Sequence, residues 1–150
     1  MKLFSWERGW LEHILLALIP EGGEQCYPWS ALDTGGPKIF EEMLALLPFD
    51  TALPLRAAVS FIEFAGPLLA GCGLSRFSGL PLEKQEACLE KLGKSRVYLV
   101  RQMVTLMKMV ACFGWGGDPR VREALGLNLP PKFVKRDQTI PENDPGGAKP

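Results

Sequence analysis

Cysteine and histidine are the residues of this sequence with the widest range of chemistry, because they bind metals, act as nucleophiles and transfer protons. The chain has four cysteines and one histidine, and they are widely spaced: His13, Cys26, Cys72, Cys88 and Cys112. A structural zinc site usually takes its ligands from short repeats such as CxxC, which this sequence lacks. Cys88 and Cys112 fall in apolar helical stretches, so we expect both to be small buried hydrophobic residues. Spacing alone leaves disulfide bonds open.

The other groups that could take part in catalysis are just as scattered. His13 follows Glu12 in a helical stretch, and we interpret it as a hydrogen-bonded or solvent-facing side chain rather than an axial ligand or a base. The glycines of FGWGGDPRVREALG, residues 113–126, match neither GxxxxGK[ST] nor a GxGxxG motif after a strand, so they do not indicate a phosphate-binding loop. An accessory or interaction role is therefore favoured over catalysis. A hydrolase with a cysteine nucleophile is the least favoured alternative.

Length and composition indicate one globular domain with a tail. The chain has 150 residues, of which 47% are hydrophobic and 23% charged, and its formal net charge of 0 gives no indication of nucleic-acid binding. The longest apolar segment, residues 52–71, is interrupted by Arg56, Glu63 and Pro67, whereas a transmembrane helix needs about 20 consecutive apolar residues. We therefore expect a cytoplasmic protein without a transmembrane segment or an export signal.

Apolar residues recur at helical spacing, and no stretch alternates long enough to predict a strand. The sequence therefore predicts an all-α fold, an irregular bundle of five or six helices. We expect Ser5 to cap the first helix. The third helix should start at Asp50 or Thr51 with Pro54 in its first turn, and Gly66-Pro67 should kink or break it.

The most apolar helix is predicted to start after a cap at Ser95. Its polar residues form a narrow stripe, and the rest of it is expected to be buried. The glycines that follow predict a joint before a short last helix, which Asp118 caps. We expect Phe113 and Trp115 to pack this joint or to contact a partner.

The composition changes after residue 127, so the helical domain is assigned to residues 1–127 and an extended tail to residues 128–150. This tail is either a disordered terminus or a segment that wraps around a partner protein. In the second case Phe133 and Val134 would be its anchors, and Lys132, Lys135 and Arg136 would steer binding.

Two stretches, FSGLPLEKQEACLEKL (residues 77–92) and RQMVTLMKMVACFGWGGDPRVREALGL (residues 101–127), carry a family resemblance, and LLALIP (residues 15–20) adds to it. They resemble the small subunit, also called subunit 3 or the γ subunit, of flavin-dependent gluconate 2-dehydrogenases. They are also similar to the helical N-terminal domain of some long-chain alcohol oxidases.

This resemblance implies a non-catalytic accessory subunit that binds and stabilises a large FAD-dependent oxidoreductase of the glucose-methanol-choline class. FAD is then expected in the partner, with no cofactor in this chain. In the family's exported members the small subunit brings a translocation signal; we expect none here, and therefore a cytoplasmic complex. The alternative is a stand-alone helical protein that binds an apolar or haem-like ligand between its methionine-rich fifth helix and its tryptophan-rich first helix.

Overall fold

The structure, a computed structural model, describes residues 2–22 and 27–127. Within these residues the chain forms seven α-helices, one short 3-10 helix and no strand, which confirms the all-α prediction. The α-helices are α1 (Ser5–Leu18), α2 (Gly36–Leu46), α3 (Phe49–Phe64), α4 (Gly66–Leu69), α5 (Leu82–Gly93), α6 (Tyr98–Gly117) and α7 (Pro119–Ala124), and the 3-10 helix is Phe77–Gly79. The prediction of five or six helices missed the four-residue helix α4.

Helix α6 lies at the centre of the bundle and packs against α1, α2, α3, α5 and α7. Its inward side chains are Val100, Val104, Met107, Val110 and Ala111. They join one apolar core with the buried residues of α1 to α3 and α5, such as Leu11, Phe40, Ile62 and Leu89. The two longest helices, α3 and α6, are therefore held by burial of their apolar faces rather than by helix propensity alone.

Two predicted helix caps were wrong. Helix α1 starts at Ser5 itself, and the preceding Phe4 is the N-cap, whose backbone N–H donates to Glu7 Oε2 at 2.8 Å. Helix α6 starts at Tyr98, three residues after Ser95, whose hydroxyl oxygen accepts a hydrogen bond from a backbone N–H at 3.2 Å before the helix begins. Glu7 supplies the side-chain hydrogen bond at the start of α1, whereas the Ser95 hydroxyl forms its own hydrogen bond before α6 begins.

Proline positions gave one correct and one wrong prediction in α3. The helix ends at Phe64, and the chain restarts as α4 at Gly66, so the break predicted at Gly66-Pro67 is confirmed. Pro54 lies inside the helix rather than in its first turn, because α3 starts at Phe49, earlier than predicted. Proline at this depth removes one backbone hydrogen bond, which the burial of Leu55 and Ala58 just after it offsets.

The glycine-rich stretch after Phe113 is helical and not a joint, because α6 continues through it to Gly117. Gly114 explains part of this. A Cβ added there would lie 3.1 Å from the Cα of Gly36, so the absence of side chains lets α2 and α6 approach closely. The turn between α6 and α7 is then made at Asp118, whose side chain accepts from the Arg120 backbone N–H, as predicted for the last cap.

No helix of the described part is long and apolar enough to cross a membrane. The predicted tail, residues 128–150, lies outside the described residues, and so do its site residues Lys132, Phe133, Val134 and Arg136.

Candidate partner-binding surfaces

Four aromatic rings lie in contact where the N-cap and first turns of α1 meet the last residue of α3, and we call them the aromatic surface: Phe4, Trp6, Trp10 and Phe64. Ring centroids are 5.5 Å apart for Phe4 and Trp6, 4.5 Å for Trp6 and Trp10, and 5.0 Å for Trp10 and Phe64. Phe4, Trp6 and Phe64 remain 56%, 50% and 53% exposed. A continuous exposed aromatic surface of this kind is typical of a protein-binding site.

The buried carboxylate of Glu7 stabilises one part of the aromatic surface, the start of α1 next to Phe4. The whole residue is 3% exposed, and its carboxylate accepts from the Phe4 backbone N–H at 2.8 Å through Oε2 and from Arg56 Nε at 2.8 Å through Oε1. One buried carboxylate therefore fixes the start of α1 to α3. These two charge-assisted hydrogen bonds restrain the Phe4 backbone and the Arg56 side chain.

Two arginines lie against the rings of the aromatic surface. The guanidinium carbon of Arg56 is 4.8 Å from the centroid of Phe4, and that of Arg76 is 5.7 Å from the centroid of Phe64. Both distances fall within the range of cation–π attraction. Aromatic residues and arginine together are the composition of binding hot spots.

A second exposed apolar surface runs along α6, and we call it the α6 face: Leu99, Leu106, Met109 and Phe113. Leu99, Met109 and Phe113 are 61%, 50% and 58% exposed, and Leu106 is partly buried against the core. The prediction that α6 is buried apart from its polar stripe was therefore wrong. Phe113, a predicted partner-binding residue, lies on this exposed face.

Trp115, the other predicted residue of this stretch, is anchored inside the protein fold. Its Nε1 donates to the backbone carbonyl of Trp29 at 2.9 Å, and its ring meets Tyr27 edge to face with centroids 5.5 Å apart. Arg120 also contacts this loop, because its guanidinium carbon lies 5.7 Å from the Trp29 ring. Trp115 thus connects the end of α6 to the loop before α2, whereas the Phe113 side chain is exposed.

Two further buried polar side chains, Glu63 and Gln85, hold neighbouring segments together through hydrogen bonds. Glu63, 0% exposed, accepts from the backbone N–H and the hydroxyl of Ser78 at 3.0 and 2.6 Å. Gln85 donates to the carbonyls of Phe77 and Leu80, both at 3.0 Å. Both residues therefore fix the 3-10 helix against α3 and α5.

Cys26 lies outside the described residues, and the side chains of Cys72 and Cys88 lie close enough to interact. Cys88 is buried, as predicted, whereas Cys112 is exposed, because it lies on the outer side of α6. Burial raises the pKa of the Cys88 thiol to about 12, with a further contribution from nearby Cys72, so this thiol stays protonated at neutral pH. His13 is exposed, and its Nδ1 lies 3.5 Å from Gln85 Nε2. In residues 2–22 and 27–127 no group of three or more His, Cys, Asp or Glu side chains could hold a metal ion.

Sequence reasoning missed the aromatic surface and found only one residue of the α6 face. The signal in the sequence was the position of Glu7, which precedes Leu11 and Ile14 by four and seven residues and so lies on the buried side of α1. A carboxylate at such a position indicates a buried partner. The partner, Arg56, lies 49 residues away, so the sequence alone could not identify it.

No protein-family model matches the sequence, and neither a curated protein nor a solved structure matches it at a significant level.

Proposed function

We propose that this chain is a non-catalytic helical subunit that binds and stabilises a flavin-dependent oxidoreductase of the glucose-methanol-choline class. The observation that carries the proposal is the aromatic surface, in which three rings are about half exposed and the buried Glu7 binds the backbone N–H of one of them, Phe4. In this proposal FAD lies in the large subunit, the chain contributes no cofactor, and the complex is cytoplasmic.

The aromatic surface supports binding to a protein for two physical reasons. Its rings still expose apolar area, and burying that area against a partner is favourable by about 25 cal/mol per Å². Its geometry is also fixed before binding, because Glu7 and Arg56 hold the first residues of α1. Binding then costs little conformational entropy at this surface.

The class of partner rests on the family resemblance of residues 77–92 and 101–127. These stretches form the 3-10 helix, α5, most of α6 and α7. They therefore supply the central helix and the α6 face. A small subunit that stabilises a larger one needs a rigid core of this kind and exposed apolar surfaces that the partner covers.

Co-expression with a large flavoprotein subunit of this class, encoded beside the chain, tests the proposal. We expect the two chains to co-purify as a yellow complex, with flavin absorbance that depends on the presence of this chain. Trp6→Ala together with Phe64→Ala should weaken the complex at least about tenfold, since truncated hot-spot residues commonly cost 2 kcal/mol or more. The matched control is Leu74→Ala, at a side chain that is 93% exposed and outside the aromatic surface.

Two results would contradict the proposal. One is a large subunit that is equally soluble and equally loaded with flavin when this chain is absent. The other is a complex that the double variant and the Leu74→Ala control weaken to the same extent. A Soret band from the purified chain alone would instead favour the alternative, a helical protein that binds a haem-like ligand.

A further inference from the structure

The thiols of Cys72 and Cys88 lie close enough to interact, in the region where α4 packs against α5. Cys88 is 0% exposed within α5, whereas Cys72 is partly exposed just after α4. Both are free thiols in the structure. Neither belongs to the aromatic surface or to the α6 face, so this pair is a separate feature of the fold.

Two contacts hold α4 against the side of α5 that carries Cys88. A Cβ added at Gly66, the first residue of α4, would lie 3.9 Å from Cys88 Sγ. At the other end of α4, the Lys91 ammonium donates to the backbone carbonyl of Ala70 at 3.2 Å. Because residues three apart are neighbours on a helix surface, both contacts fall on the same side of α5. Cys72 therefore follows directly from a helix that is packed beside Cys88.

The turn that ends α4 fixes the position of Cys72. Its backbone N–H donates to the carbonyl of Pro67 at 2.7 Å, and Gly71 before it has a φ of 71°. This is a Schellman motif, in which a left-handed glycine ends the helix and the next residue bonds back to it. Cys72 Sγ also lies 3.9 Å from the Ala70 carbonyl oxygen, which accepts from Lys91 as well. The Cys72 thiol is therefore held next to α5.

The two thiols differ in what can reach them. Cys72 is accessible to a small oxidant from solution, because its side chain is partly exposed. Burial raises the pKa of Cys88 to about 12, so this sulfur stays a thiol until a reactive group forms beside it. An accessible thiol next to a second cysteine is typical of a reversible redox pair, since the second thiol reacts with the sulfenic acid that forms on the first.

We propose that Cys72 and Cys88 are an oxidation site at which a peroxide converts the two thiols into a reversible disulfide bond. The Cys72 sulfur attacks one oxygen of hydrogen peroxide, so an S–O bond forms, the O–O bond breaks, and the departing hydroxide takes the thiol proton to become water. The Cys88 sulfur then attacks the sulfenic sulfur, so the S–S bond forms, the S–O bond breaks, and a second water leaves with the Cys88 proton. Two electrons pass from the thiols to one peroxide, and a dithiol reverses the change by thiol–disulfide exchange.

The disulfide would link the turn after α4 to α5. It would close a loop of about 15 residues and so restrict the unfolded chain. The oxidised protein should therefore melt roughly 5–15 °C higher than the reduced protein. An oxidised protein that melts at a lower temperature would contradict the proximity of the two thiols, because the bond would then have to distort the fold.

Treatment of the reduced full chain with about one equivalent of hydrogen peroxide tests the proposal. We expect the intact mass to fall by about 2 Da, because two hydrogens are lost when a disulfide forms. Peptide mapping without reductant should find the peptides of Cys72 and Cys88 joined. Dithiothreitol should restore both the mass and the separate peptides.

Single variants separate the roles of the two thiols. Cys88→Ala should leave the sulfenic acid on Cys72 without a partner, so dimedone should label Cys72 at least about tenfold more than in the wild type. Cys72→Ala should leave Cys88 unlabelled and in the thiol form. Cys112→Ala is the matched control, because it removes an exposed cysteine outside the pair, and it should form the disulfide as the wild type does. If Cys88→Ala does not fold, the peptide map of the wild type decides alone.

Two kinds of result would overturn the proposal. One is a wild-type chain whose thiols at both positions survive the peroxide. The other is oxidation without this bond, either a disulfide between different cysteines or a sulfenic or sulfinic acid on Cys72 beside an unreacted Cys88. Because the test uses this chain alone and reads a covalent bond, its outcome is independent of co-purification with a flavoprotein.

Discussion

The buried pair of Glu7 and Arg56 should make a large contribution to stability. Replacing Glu7 with leucine removes two hydrogen bonds of 2.8 Å to a carboxylate whose side chain is 4% exposed. Each such bond is worth about 1.5–3 kcal/mol when an ionised group takes part. The Arg56 side chain is 23% exposed and can recover some hydration, as can the Phe4 backbone N–H. We therefore expect Glu7→Leu to lower the free energy of unfolding by about 2–4 kcal/mol.

Urea denaturation followed by tryptophan fluorescence measures this loss, and melting should fall by roughly 8–15 °C in parallel. The matched control is Glu12→Leu, which removes a half-exposed carboxylate from the same helix and its pair with Arg8. It should cost less than about 0.5 kcal/mol. A double-mutant cycle of Glu7→Leu with Arg56→Met should give a coupling energy of about 1–3 kcal/mol. Coupling near zero, or equal losses in Glu7→Leu and Glu12→Leu, would refute the reasoning.

Three further predictions follow from the helices near the C-terminus of the described part. Gly114→Ala should lower the free energy of unfolding by about 1–3 kcal/mol, because its Cβ would lie 3.1 Å from the backbone of α2. At Gly116 an added Cβ would have no atom within 4 Å, so Gly116→Ala should raise the free energy of unfolding by about 0.5–1 kcal/mol. Urea midpoints of the two variants that move in the same direction would contradict the close contact of α2 and α6. The hydrogen bond from the Arg120 side chain holds the pKa of Asp118 below its usual value. The stabilisation from this charge is therefore present above about pH 4 and is lost as pH falls through the lower pKa of the folded state. The stability difference between wild type and Asp118→Asn should accordingly narrow in acid, and an equal difference at neutral and acidic pH would argue against it. Site-resolved alkylation should modify exposed Cys112 well before buried Cys88, whose raised pKa keeps it a thiol, and equal rates would contradict this burial.

Local rules predicted the features that depend on a few neighbouring residues. The Asp118 cap and the break at Gly66-Pro67 are set by the cap side chain and by the proline ring, which act within one helical turn. Ser5 and Ser95 are not caps, because α1 already begins at Ser5 and α6 begins only at Tyr98, beyond the Val97 N–H that the Ser95 hydroxyl binds. At the start of α1 the side chain of Glu7 instead reaches back to the residue before Ser5.

Features that depend on distant parts of the chain were beyond the sequence. The glycines at the end of α6 predicted a joint, yet the chain stays helical there because Gly114 packs on Gly36 of α2. Hydrophobic periodicity also could not show which apolar side chains of α6 remain exposed after the neighbouring helices have packed against it. Phe113 therefore remains exposed while Trp115, two residues later, is anchored to the loop before α2.

The central position of α6 has a consequence for how the chain folds during synthesis. Helix α6 is the last long helix of the described part, yet α1, α2, α3 and α5 all pack against it. The part of their apolar faces that α6 covers stays open until residue 117 has been made, which takes roughly 6–25 s at about 5–20 residues per second. During that time the nascent chain is open to aggregation and to chaperones. Expression at lower temperature or with added chaperone capacity should therefore raise the soluble yield more than changes to the finished surface.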